Sequence, residues 1–150
     1  MKLEKVNREN LREVLNLELA DSQQGIVSSN AVSMAQAGLH PYYQPRAIVV
    51  DNQIVGFIMY SEWRDAAWAK EEKLGEFYIF RVMVDKEHQG KGYARQAMKA
   101  TIEEIKQQGA STIHIGYSES NNAAQGLYKS LGFVETGIGE WGDMMAELKF

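Results

Sequence analysis

Residues 84–98 read VDKEHQGKGYARQAM, and their reading decides the fold. A β-rich run over 75–84, GEFYIFRVMV, leads into this stretch. Gly90 and Gly92 follow, and then an amphipathic helix over about 91–108, with Ala94, Ala97, Met98, Thr101, Ile102 and Ile105 on one face. A strand, a glycine turn and a helix start together suit a phosphate. The free N–H groups of the first helical turn, from Gln89 through Tyr93 to Ala94, carry partial positive charge, and Lys91 and Arg95 add full charges. The bare backbone at the two glycines lets a ligand approach closely. Spacing excludes two phosphate loops. A P-loop needs four residues between its first glycine and Gly-Lys-Ser/Thr, which Gly90-Lys91-Gly92-Tyr93 does not provide. A dinucleotide fingerprint needs glycine or alanine where Arg95 stands. A tight connection with no ligand is the other reading of the turn by itself.

Outward from this turn, the pattern predicts one domain over 1–150, of α/β class with a mixed sheet. Strands are predicted over 2–6, 46–50, 53–60, 75–84, 112–117, 133–137 and 143–149. Helices are predicted over 8–19 (capped by Asn7), 29–37 (capped by Ser28 or Ser29), 91–108 and 122–131. Asp51-Asn52 reads as a hairpin turn and 61–74 as a loop. Only the link from 75–84 to 112–117 is a strand-helix-strand crossover. That pair is therefore expected to be parallel and right-handed within an otherwise antiparallel sheet.

Composition narrows the chemistry. A formal charge of -4 argues against general nucleic-acid binding and is compatible with a cationic partner. Cysteine is absent, which excludes thiol nucleophiles, disulfides and thiolate metal sites, and no metal constellation is visible. The first residues, MKLEKVNREN, lack an apolar signal core, and no apolar run reaches spanning length. The expectation is a cytoplasmic protein with no membrane partner.

A second constellation lies at 120–133, SNNAAQGLYKSLGF. Ala124, Leu127, Tyr128 and Leu131 form an apolar helical face, and Asn121 is about two turns before Tyr128. Each has a bland reading, as helix cap and core aromatic. Both glycine turn and second helix follow consecutive parallel strands, however, so both helix starts face one edge of the sheet.

Together, Gln89-Gly90-Lys91-Gly92-Tyr93-Ala94 and the run Asn121 through Phe133 resemble the two motifs of the GCN5-related N-acetyltransferase superfamily. The resemblance extends to strand order over nearly the whole chain. It implies a mostly antiparallel sheet of six to seven strands with one splayed parallel pair and helices on both faces. It implies acetyl-CoA as co-substrate and no metal. By the same resemblance, residues 89–94 wrap the pyrophosphate, and Val82, Met83 and Val84 pair with the pantetheine arm. Asn121 contacts the coenzyme and Tyr128 protonates the departing thiolate. Dimers are common in the superfamily, so a homodimer is one expectation, with no interface assigned.

The whole-chain pattern resembles the bacterial spermine/spermidine acetyltransferases, which implies a cationic amine acceptor, a polyamine. Carboxylates and aromatic faces would suit it. Candidates are Glu18, Asp21, Tyr42, Tyr43, Glu62, Trp63, Trp68, Glu76, Glu140, Trp141 and Asp143. That branch often carries an acid where Phe80 stands here. Peptide-directed members tend to carry a Glu where Gly116 stands, which counts against a peptide acceptor. Another small amine, such as an aminoglycoside or amino acid, or a protein or peptide amine is the alternative acceptor. A coenzyme-binding regulator without catalysis is the alternative class. Glu76 is the candidate general base, on the period-two face it shares with Tyr78 and Phe80; His88 and His114 are further titratable candidates.

Overall fold

A computed structural model describes residues 1–25 and 27–150. Seven strands form one sheet in the order β1-β2-β3-β4-β5-β7-β6. These are β1 (Lys2–Lys5), β2 (Tyr43–Val50), β3 (Gln53–Trp63), β4 (Lys73–Val84), β5 (Thr112–Tyr117), β6 (Val134–Ile138) and β7 (Met144–Lys149). Every pairing is antiparallel except β4 with β5. The helices are α1 (Leu11–Leu15), α2 (Asn30–Ala37), α3 (Tyr93–Gln107) and α4 (Asn122–Ser130).

Strand alternation supplies two cores. Ile48, Ile58, Tyr60 and Phe77 pack against Ala97, Met98 and Ile105 of α3. Ala47, Phe57, Met59 and Met83 point the other way, toward Val14 of α1 and Met34 of α2. Helices thus cover both faces, as the pattern implied.

Several boundaries moved for physical reasons. α1 is five residues rather than twelve. Its expected continuation is captured elsewhere: the Glu18 N–H donates to the Asp85 carboxylate at 2.8 Å, and the Lys86 N–H donates to the Glu18 carbonyl at 2.7 Å. β2 starts at Tyr43 and tolerates Pro45 because β1 pairs only with Arg46–Val49 and never asks Pro45 for a donor. The predicted loop over 61–74 is shorter, since β3 runs on to Trp63 and pairs with Lys73. α3 begins at Tyr93 because Gly92 holds a left-handed φ of 81°, which no helical residue adopts.

The β4–β5 ladder is brief: Glu76, Phe77 and Tyr78 face Thr112, Ile113 and His114. Beyond Tyr78, β4 stays with β3 as far as Val84 and, among the described residues, has no strand partner on its β5 side. At the same level the β3 register slips. Met59 faces Arg81 but Tyr60 faces Ile79, so Phe80 is one residue too many. Such a bulge bends its strand and increases local twist, so the two parallel strands diverge. It also inverts parity. Ile79 and Val82 pack on the same core, whereas strict alternation would set them on opposite faces. Phe80 and Arg81 turn together toward the α2 face, where the Arg81 guanidinium donates to Gln36 Oε1 at 3.0 Å.

Candidate active site

The divergence of β4 and β5 opens a slot of about 360 Å³ between the free edge of β4 and the start of α4. Val82, Met83 and Val84 form one wall, and Asn121, Ala124 and Tyr128 the other. Gln89, Gly90, Gly92, Tyr93 and Ala94 close one end. Every second residue of an antiparallel strand turns both backbone polar groups away from its partner, so the unpaired edge of β4 offers hydrogen bonds to whatever enters. Gly90 and Gly92 have φ of 76° and 81°, with open space where a Cβ would stand. That conformation costs an L-residue about 1–2 kcal/mol, so both positions call for glycine on backbone grounds.

The turn is braced from inside. The Gln89 side-chain amide donates to the Val84 carbonyl at 2.9 Å and to Gln23 Oε1 at 2.7 Å. Asp85 caps the following turn by accepting from the Glu87 N–H at 3.2 Å. Lys91 is exposed and Arg95 donates to Ser130 Oγ on α4, and neither lines the slot. Asn121 caps α4 by accepting the Ala124 N–H at 3.1 Å, and it also lines the slot.

Tyr128 sits where the slot meets a second space of about 630 Å³, lined also by Arg81, Val82, Gly116 and Asp143. A third cavity, about 580 Å³, continues from it and is walled by Trp68, Tyr78, Phe80, Arg81, Trp141 and Asp143. The three spaces adjoin: Val82 and Tyr128 border both slot and junction, and Phe80, Arg81 and Gly116 border both junction and outer cavity. Burial pushes the Tyr128 phenol up to about 12, with a smaller contribution from nearby Tyr78. Burial also raises Tyr78, helped by Asp143 and opposed by Arg81. The Tyr78 hydroxyl lies 3.0 Å from where a Cβ on Gly116 would stand. The missing side chain at 116 is therefore what admits this phenol.

The sequence candidates separate clearly. Trp68, Trp141 and Asp143 line the outer cavity. Glu76 lines none of the three spaces; its carboxylate meets His114 Nε2 at 2.7 Å beside the β4–β5 ladder. Glu62 accepts the Gly75 N–H at 2.9 Å, Glu140 pairs with Lys70 at 3.0 Å, and Tyr42 lies under Arg64 at 4.1 Å. Tyr43 is core, and Trp63 packs edge-on to Trp68 at 5.0 Å. Glu18 and Asp21 line a further depression, which borders the slot at Leu19 and Met83. His88 meets Asp85 at 3.3 Å. Sequence reasoning missed Arg81 and Tyr78 as cavity residues. Arg81 had no local signal, because its side-chain direction depends on the bulge.

A splayed parallel pair, a left-handed glycine turn opening one helix and a tyrosine on the next suit an acyltransferase that draws on coenzyme A. The chain belongs to the acetyltransferase (GNAT) family, whose sequence model matches residues 11–133. It is accordingly an acetyl-CoA-dependent N-acetyltransferase. It is 27% identical over 133 residues, 88% of this chain and 86% of the relative, to the spermine/spermidine N(1)-acetyltransferase of Bacillus subtilis (strain 168). Over 65 residues, 43% of this chain and 44% of the relative, it is 37% identical to the [Ribosomal protein bS18]-alanine N-acetyltransferase of Escherichia coli (strain K12). Its fold matches aminoglycoside acetyltransferase AAC(6')-Ib in complex with coenzyme A, with a TM-score of 0.78 at 16% identity, over 98% of this chain and 93% of that one. Among the described residues, no helix is long and apolar enough to cross a membrane.

Proposed function

We propose that this enzyme acetylates a primary amine of a polyamine such as spermine or spermidine. The observation that carries the transfer reaction is the adjoining run of spaces from the slot, past Tyr128, to a second cavity on the other side of it. Bound acetyl-CoA supplies a thioester carbonyl open to attack. Backbone N–H groups at the Gln89–Ala94 turn hold its pyrophosphate, with Lys91 and Arg95 adding charge nearby. The free edge of Val82–Val84 takes the pantetheine arm as an added strand, and a backbone N–H there meets the charge that grows on the carbonyl oxygen. Asn121 flanks the coenzyme from the α4 side. Tyr128, protonated across the physiological range, gives its proton to the leaving sulfur. Glu76, held by His114, fixes the β4–β5 junction in this reading.

The polyamine acceptor is supported by the similarity to the Bacillus protein over most of both chains. It is also supported by the cavity wall. Trp68, Tyr78, Phe80 and Trp141 present aromatic faces to methylenes and ammonium groups, and Asp143 offers a carboxylate. The test is an acceptor panel read by free-thiol release, with spermine, spermidine, an aminoglycoside, an amino acid and a peptide amine. Turnover of the polyamines is the expected result. Idle polyamines beside a good aminoglycoside or amino acid would overturn the acceptor. Coenzyme binding without turnover of any amine would overturn the catalysis.

A further inference from the structure

Arg81 is the cation on the acceptor path, and among the described residues it has no carboxylate within ion-pair distance. One guanidinium nitrogen donates to the Phe80 carbonyl at 3.1 Å and another to neutral Gln36 at 3.0 Å, while its buried Nε has no acceptor. It lines both the outer cavity and the junction beside Tyr128, one residue before Val82 on the coenzyme wall. The titratable groups around it are Tyr43 from β2, Tyr78 from β4, Tyr128 from α4 and Asp143 before β7, with Asp65 beyond Tyr43. Burial keeps all three phenols neutral below about pH 10. A positive charge with no carboxylate in ion-pair contact among the described residues therefore borders the space where an acceptor amine must arrive, with Asp143 further along the same lining.

We propose that Arg81 holds the acceptor amine in its neutral, nucleophilic form by like-charge repulsion. Only the neutral amine has a lone pair for attack, and an ammonium beside a desolvated cation gives up its proton more readily. The N–H bond breaks, the proton leaves through the open outer cavity to water, and the electron pair stays on nitrogen. That nitrogen then bonds to the acetyl carbon as the carbon–sulfur bond breaks; the sulfur takes the Tyr128 proton, and the proton that the acylated nitrogen sheds passes by way of water to restore the phenol. No carboxylate base beside the attacking nitrogen is needed, in keeping with the placement of Glu76 against His114. For a polyamine the same field sets direction. The neutral end enters past Arg81, while a distant ammonium stays against the outer aromatic wall at Trp141, which is 56% exposed. The inference rests on transfer to an amine and does not require that the amine be a polyamine.

The test is the pH dependence of kcat at saturating acceptor, which reports the bound complex. It compares wild type with Arg81→Gln and Arg81→Lys, using whichever amine of the panel is turned over. In Arg81→Gln the midpoint of the acid limb is expected to rise by about one pH unit. Well below that midpoint kcat then falls about tenfold, and the two curves meet at alkaline pH. Arg81→Lys should keep the wild-type midpoint. Coenzyme affinity, measured by calorimetry, checks that each variant is folded, and Arg81→Met replaces the Gln variant if that one fails the check. A uniform loss of kcat at every pH, with the midpoint unmoved, would overturn the inference. So would an unmoved midpoint with KM raised only for carboxylate-bearing amines, which would make Arg81 an anion anchor. Failure of the polyamines alone overturns the acceptor reading and leaves this one standing or falling on its own profile.

Discussion

Tyr128 is a phenol that packs against Tyr117 and Phe133 and lines the slot between β4 and α4. Its burial raises its proton affinity, which suits a donor and disqualifies a base at neutral pH. Tyr128→Phe keeps the ring and removes the proton. It is expected to lower kcat on the order of 10²-fold and to leave the calorimetric coenzyme affinity within about twofold, because only the hydroxyl is lost. An unchanged kcat removes the donor role. Residues of this kind were legible in the sequence because local spacing fixes them: Gly90 and Gly92 two apart, Asn121 and Tyr128 two turns apart. Arg81 and Tyr78 were not. Their positions follow from one extra residue in β4 and from a missing side chain at 116 on another strand, and neither is a local pattern.

Between elements, Asp85 ties the end of β4 to the segment after α1. It accepts from the backbone N–H groups of Glu18 and Glu87 and meets His88. This is why the apolar periodicity over 8–19 overstated α1: a tertiary hydrogen bond from 67 positions away takes the backbone that the helix would have used. Burial opposes ionisation of Asp85, but the two N–H donors and His88 outweigh it and hold its carboxyl below the usual range. With a depressed folded pKa, its contribution is present at neutral pH and lost as pH falls through that value. Asp85→Asn is expected to cost about 1–2 kcal/mol at pH 7, and the gap to wild type should narrow below about pH 4. Urea unfolding at pH 7 and pH 3 measures both; an equal gap at both would assign the loss to packing instead. The glycine turn begins just past this tie, so the variant should also weaken coenzyme binding.

Across the molecule, strand order was readable from the single crossover, and the split that makes the slot was implied by family resemblance, while its cause lay in the β3–β4 register. Three phenols gather beside this split: Tyr78 at the last rung of the β4–β5 ladder, Tyr117 at the end of β5 and Tyr128 in the second half of α4. Tyr117 is pushed up to about 12, chiefly by burial and next by its hydrogen bond to Glu135 at 2.7 Å, and Tyr128 reaches about 12 by burial. In the unfolded chain these groups titrate near pH 10. Between about 10 and 12 the folded state therefore binds more protons than the unfolded one, so stability falls as pH rises. Below pH 10 their contribution is complete. The expected result is a urea midpoint that holds level to about pH 9.5 and then declines. General repulsion in a chain already at -4 would also lower it. The Tyr117→Phe, Tyr128→Phe double variant separates the two causes. It retains the repulsion but has lost two of the raised phenols, so its midpoint should fall less steeply than wild type over the same range. Parallel slopes would mean that net charge, not these buried hydroxyls, sets the alkaline limit.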